Sequence, residues 1–153
     1  MIAHSPALAV SCMQTVKDQF TALELPDRDR EVVILTVATL AECEYEWIQH
    51  VELSEAVGIS STARQSIRSK DFGADTLTAR DRIIITFVQE IVDTPRVHDE
   101  VFAEVRQLFT PREIVELIFT IGYWGLVARL LETLEVDFDD MVGKVNVAAP
   151  TRD

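Results

Sequence analysis

Cysteine is scarce in this chain. Cys12 and Cys43 are the only two among 153 residues, and they form no Cys-x-x-Cys pair. That count excludes a disulfide-dense secreted scaffold and a four-cysteine zinc site. Basic residues are also few: 14 Lys and Arg face 26 Asp and Glu, for a formal charge of −12. Such a surface repels phosphate backbones and anionic lipid, so neither nucleic acid nor a membrane is an expected partner. No long hydrophobic run is present. The most apolar stretch, Leu117 to Ala128, is bounded by Glu116 and Arg129 and is too short to cross a bilayer as a helix. The opening residues "MIAHSPALAV" lack the basic segment of a secretory signal, which with the scarce cysteine makes a cytoplasmic protein the expectation.

What is present is a helical pattern. Apolar residues make up 48% and charged residues 26%, as in an ordinary globular chain. No stretch alternates convincingly as a strand would, and no repeat or low-complexity tract interrupts the chain, so the fold class is all-α. Ser5-Pro6 reads as a cap that opens a helix to about Phe20. A second helix runs from near Asp29 to Leu40, and a third, carrying "EYEWIQHVELSEAV", stops at Gly58. Ser60 or Ser61 starts a short helix to about Ser69. The loop "KDFGADTL" is a candidate hinge. Thr78 and Asp81 resemble a capping box that opens a helix to Val92, and another helix covers about Asp99 to Phe109. Thr110-Pro-Arg-Glu113 is the clearest start signal, opening a long helix to about Leu134. That helix is apolar nearly all round, which suits a central or intersubunit position, and Gly122 and Gly125 within it would admit close approach of another helix. Residues 1–141 read as one domain and 142–153 as a loosely ordered tail.

Chemistry-bearing residues gather in "AECEYEWIQHVELSEAVG". Cys43, Glu46 and His50 fall at i, i+3 and i+7, which a helix stacks along one stripe. Cys43 is either a small core residue or a thiol whose pKa the helix N-terminus lowers. His50 is either structural or a proton carrier oriented by Glu46 one turn earlier. Trp47 would pack in the core or wall off the polar groups beside it. Glu31, at the head of the most apolar helix, is either a dipole partner or a carboxylate at the mouth of a buried cavity. Three ligand types on one face are also compatible with a metal, although no second histidine accompanies them.

The pattern "DREVVILTVATLAECEYEWIQHVELSEAVGIS" resembles the carboxymuconolactone decarboxylase family, whose fold is shared with alkylhydroperoxidase D. The likeness runs from "HSPAL" to "GYWGLVARLLETL". It implies a helical domain of about six to seven helices, assembled as a homotrimer or as a hexamer of trimers. The family's redox branch carries a glutamate, eleven residues, then Cys-x-x-Cys-x-x-x-His. Glu31, Cys43 and His50 match that pattern, and Glu46 stands where the second, peroxide-attacking cysteine would be. The resemblance thus implies a proton relay without its attacking thiol. Glu31, Cys43, Glu46 and His50 are the candidate catalytic residues. Trp47, Tyr123 and Arg129 are the candidate substrate contacts, the arginine for a substrate carboxylate. The lyase branch works without metal or organic cofactor, so a cofactor-free lyase or isomerase acting on a small carbonyl acid or lactone is the leading expectation. A thiol-dependent peroxidase using Cys43 and a non-catalytic oligomeric binding protein are the alternatives.

Overall fold

The second helix of this chain is buried on every side, and the others are laid around it. The structure, a computed structural model, describes residues 2–136. These hold seven α-helices and no strand: α1 Pro6–Thr21, α2 Asp27–Leu40, α3 Glu44–Ala56, α4 Ser61–Arg68, α5 Ala79–Asp93, α6 Asp99–Leu108 and α7 Pro111–Thr133, after a 3-10 turn at Ile2–His4. The all-α expectation holds. The boundary at residue 141 and the tail lie outside the described residues.

Helix α2 presents Val32, Val33, Ile34, Leu35, Val37 and Ala38 at 2% exposure or less. Such a helix needs neighbours all round, and α3, α4, α5 and α7 supply them. It starts two residues earlier than the sequence suggests, because Pro26 presets the entry and Asp27 and Asp29 favour the positive end of the helix dipole. Salt bridges clamp that end: Arg28 reaches the buried Asp81 at 2.6 Å, and Arg80 reaches Asp29 at 2.7 Å.

The turn into α3 sets the geometry of the site. Cys43 N–H donates to Ala38 O at 2.9 Å and Glu42 N–H to Thr39 O at 3.3 Å, the pairing of a Schellman stop. Glu42 takes φ +55° there, a position where glycine is the usual residue. The chain reverses within this turn, so α3 runs back along α2.

Local start and stop signals account for most boundaries. Thr78 with Asp81, and Thr110 with Glu113, form complete capping boxes at α5 and α7. Gly58, at φ +86°, closes α3. The Ser5 hydroxyl makes no capping bond, so α1 opens on Pro6 alone. Helix α7 is one-sided within the chain. Ile114, Leu117, Ile121, Trp124, Ala128 and Leu131 face inward, whereas Val115, Phe119 and Leu126 are 66%, 52% and 47% exposed. Its 23 residues are long and apolar enough, by length and composition only, to cross a membrane, although the inner face is core.

Candidate functional site

The α2–α3 turn places Glu31 opposite His50. Glu31 Oε2 lies 2.8 Å from His50 Nδ1, with the two side chains 0% and 4% exposed. A buried carboxylate on Nδ1 fixes the ring's orientation and its tautomer: Nδ1 carries the hydrogen, and Nε2 is left as the basic nitrogen. Nε2 makes no hydrogen bond to another described residue. The second oxygen of Glu31 faces Arg30, whose Nε and Nη2 stand 3.4 Å away. Arg30 is itself held by Asp27 at 2.7 Å and by the carbonyl of Gln19 at 3.0 Å, and its guanidinium lies over Phe20. The carboxylate is therefore flanked by a cation on one side and the imidazole on the other.

Aromatic rings enclose the imidazole. Trp124 of α7 meets His50 edge-on with centroids 4.6 Å apart, and Phe20 of α1 stacks at 6.4 Å. Trp124 Nε1 donates to Gln19 Oε1 at 3.0 Å. Sequence reasoning missed Phe20, Gln19, Arg30 and Trp124. Only Arg30, next to Glu31, and Trp124, on the inward period of α7, left a trace that could have been followed.

Glu46 is the unusual member. It sits one turn before His50 on the same face, 2% exposed, and neither carboxylate oxygen has a hydrogen-bond partner among the described residues. Burial pushes its pKa up to about 8, so near neutrality it is a protonated acid that can donate.

Cys43 departs from one of its two readings. It is the N-cap residue of α3, yet its thiol is pushed up to about 11 rather than lowered. Burial is the main cause and the Glu132 side chain adds to it, against the smaller opposing effect of the Glu46 backbone N–H. Ala128 and Leu131 close over the sulfur, so the helix N-terminus cannot exert its usual pull in a solvated setting.

The candidate substrate contacts do not gather round His50. Trp47 is core, 8% exposed, with the Arg68 guanidinium over its ring at 5.0 Å. Tyr123 donates its hydroxyl to the Cys12 carbonyl at 3.1 Å, tying α1 to α7. It stands behind Trp124, the rings edge-on at 5.7 Å. Arg129 is exposed, bonded to Gly125 O at 2.8 Å, and borders a separate cavity. Glu116, the acid that opens the apolar run of the same helix, accepts from the backbone of Glu24 and Leu25, both at 2.8 Å, and binds Arg112. Among the described residues no three His, Cys, Asp or Glu side chains converge so as to hold a metal. The one-face spacing of Cys43, Glu46 and His50 does not by itself make such a centre.

No protein-family model matches the chain, and no curated protein sequence is significantly similar to it. Solved structures are similar. An Agrobacterium tumefaciens protein of unknown function, linked to AhpD-type antioxidant defence, superposes with a TM-score of 0.79 at 19% identity, over 92% of this chain and 96% of that one. A peroxidase-related protein from Ralstonia eutropha JMP134, described as an alkylhydroperoxidase AhpD core, gives a TM-score of 0.79 at 17% identity, over 91% and 74%. A peroxidase-related protein from Silicibacter sp. TM1040 gives 0.72 at 16% identity, over 80% and 65%. The fold is alkylhydroperoxidase D-like. On this AhpD-like frame Glu31, Cys43, Glu46 and His50 all lie in or beside the α2–α3 hairpin and are buried, Glu31 meeting His50 while Cys43 packs against Ala128 and Leu131 of α7.

Proposed function

We propose that this AhpD-like protein is a cofactor-free lyase or isomerase that moves protons on a small carbonyl acid or lactone. The observation that carries the reading is the buried Glu31–His50 pair at 2.8 Å beside a protonated, unpartnered Glu46. His50 Nε2 is the base. It takes a proton from carbon next to a carbonyl, and the released electron pair moves onto the carbonyl oxygen as an enolate. Glu46 supplies the acid, giving its proton to the enolate oxygen or to the carbon left when carbon dioxide departs. Glu31 positions the imidazole through Nδ1, with Arg30 beside the other carboxylate oxygen. Trp124 and Phe20 keep water from the ring.

Peroxide reduction, suggested by the names of the similar structures, calls for a thiolate. Cys43, at about 11, holds its proton near neutrality, and position 46 carries a carboxylic acid in place of a second sulfur.

The test is deuterium wash-in. Small keto acids and lactones are incubated with the protein in D2O and followed by proton NMR, with carbon dioxide release measured alongside. His50→Gln is expected to lower the rate by about a hundredfold or more, and Cys43→Ala to leave it within a few fold. An unimpaired His50→Gln, or a dead Cys43→Ala that still folds, would overturn the reading.

A further inference from the structure

The cavity bordered by Arg129 belongs to a different part of the molecule from the proton-transfer centre. It measures about 510 Å³, within the usual range for small-molecule sites. Its walls are Val37 and Leu40 of α2, Ile91 and Val92 of α5, and Ile121 and Gly122 of α7, with Arg129 and Glu132 at the polar edge. Neither Glu31, Glu46 nor His50 lines it. Val37 and Leu40 lie roughly 120° and 180° round α2 from Glu31, at 100° per residue. Gly125 and Arg129 are likewise roughly 100° and 140° round α7 from Trp124, which faces His50.

Two features of α7 have no purpose in the packing of the described chain. Gly122 stands in mid-helix with ordinary backbone angles, where glycine is less favourable than alanine by about 0.5–1 kcal/mol. A Cβ there would meet nothing within 4 Å, so the small residue leaves room that no neighbouring side chain uses. Arg129 is the second. In a chain of net charge −12, its guanidinium bonds to the Gly125 carbonyl and forms no ion pair with a described residue. A Cβ on Gly125 would come within 3.1 Å of Arg129 Nη1, so the glycine leaves the guanidinium room to lie close over the helix backbone at the cavity edge. One of its five N–H groups is spent on Gly125 O, and no described residue accepts from the others.

We propose that this cavity is a second ligand site, taking a small apolar carboxylic acid whose chain lies along Val37, Leu40, Ile91 and Gly122 and whose carboxylate is bound by Arg129. The recognition is charge-assisted at one end and hydrophobic along the other. Since no group of the proton-transfer centre takes part, the site stands or falls apart from the reading of His50.

Calorimetric titration with octanoate tests it, with octylamine as the cationic control of equal length. Octanoate is expected to bind one per chain and octylamine at least about tenfold more weakly. Arg129→Leu should weaken octanoate by about tenfold or more, and Arg129→Lys should recover part of the loss. Gly122→Leu should abolish binding by filling the space, and Gly122→Ala should leave it nearly intact, circular dichroism showing that both keep the helix. Equal binding of octanoate and octylamine, or an unchanged affinity in Arg129→Leu, would overturn the proposal without any reliance on the glycine variants. Absence of octanoate binding, together with dissociation of an oligomer in Gly122→Leu, would assign the cavity to a contact between copies and overturn it equally.

Discussion

Glu46→Gln isolates the most unusual group in the structure. A carboxyl with an ordinary pKa of 4.5 sits at about 8 in the folded chain because burial opposes its charge. The sign follows from proton binding. Between about 4.5 and 8 the folded state keeps a proton that the unfolded chain has lost, so stability is highest below 4.5 and declines as pH rises to about 8. At 1.36 kcal/mol per pH unit, the part of that decline between pH 6 and pH 9 comes to about 2–3 kcal/mol. Glutamine has nearly the same shape and no charge to suppress. Glu46→Gln should therefore lack this portion of the pH dependence and gain most on the wild type at alkaline pH. Urea unfolding of both proteins at pH 6 and pH 9, followed by circular dichroism at constant protein concentration, gives the difference directly, and titrations common to the two proteins cancel. A wild type and a Glu46→Gln variant that lose stability in parallel over this range would refute the assignment of a buried, protonated Glu46. If Glu46 is also the proton donor in turnover, activity of the wild type falls as pH rises through about 8.

With Cys12→Ser as background, iodoacetamide at pH 8 should alkylate Cys43 about a hundredfold more slowly in the folded than in the urea-unfolded protein, from the thiolate fractions at about 11 and at 9.0; equal rates would restore the thiol reading. For the same reason, peroxide consumption with a dithiol reductant should be absent, and efficient turnover measured by stopped flow would count against the acid/base reading. Light scattering should report an oligomer, because Val115, Phe119 and Leu126 leave an apolar face on α7 uncovered within the chain; a stable monomer at micromolar concentration would end that expectation.

What could be read from sequence was what short-range physics decides. Thr78, Thr110 and Gly58 mark helix ends because a cap is made within three or four residues of itself, and each does so in the structure. The short connection after Leu40 dictated a hairpin, and the hairpin dictated that residue 31 would meet residue 50. What could not be read depends on helices that arrive from elsewhere in the chain. Cys43 stands at a helix N-terminus, and by local rules its thiol should be acidic. Ala128, Leu131 and Glu132 of α7 reverse the sign, and no local pattern announces them. The same holds for the two tryptophans. Trp47 shares a helix with His50, yet Trp124 is the ring beside it, because α7 crosses α2 at that level. Arg129, read from the sequence as a contact for a substrate carboxylate, lies away from His50 at the edge of another cavity, because α7 is exposed along that side.

Glu46 joins both kinds of information. Its place on the stripe is local and was legible. Its lack of a partner among the described residues is a property of the whole bundle: no described cation reaches it, and Arg30, next to Glu31 in sequence, is committed to Asp27, Gln19 and Glu31. A carboxylate so placed would be a buried, uncompensated charge, which folded proteins avoid by taking up a proton. The carboxyl at position 46 therefore brings a proton with it. It puts a neutral acid beside an imidazole whose orientation is already fixed by Glu31, and a donor next to an oriented base is the minimum equipment for moving a proton between two positions of one small molecule.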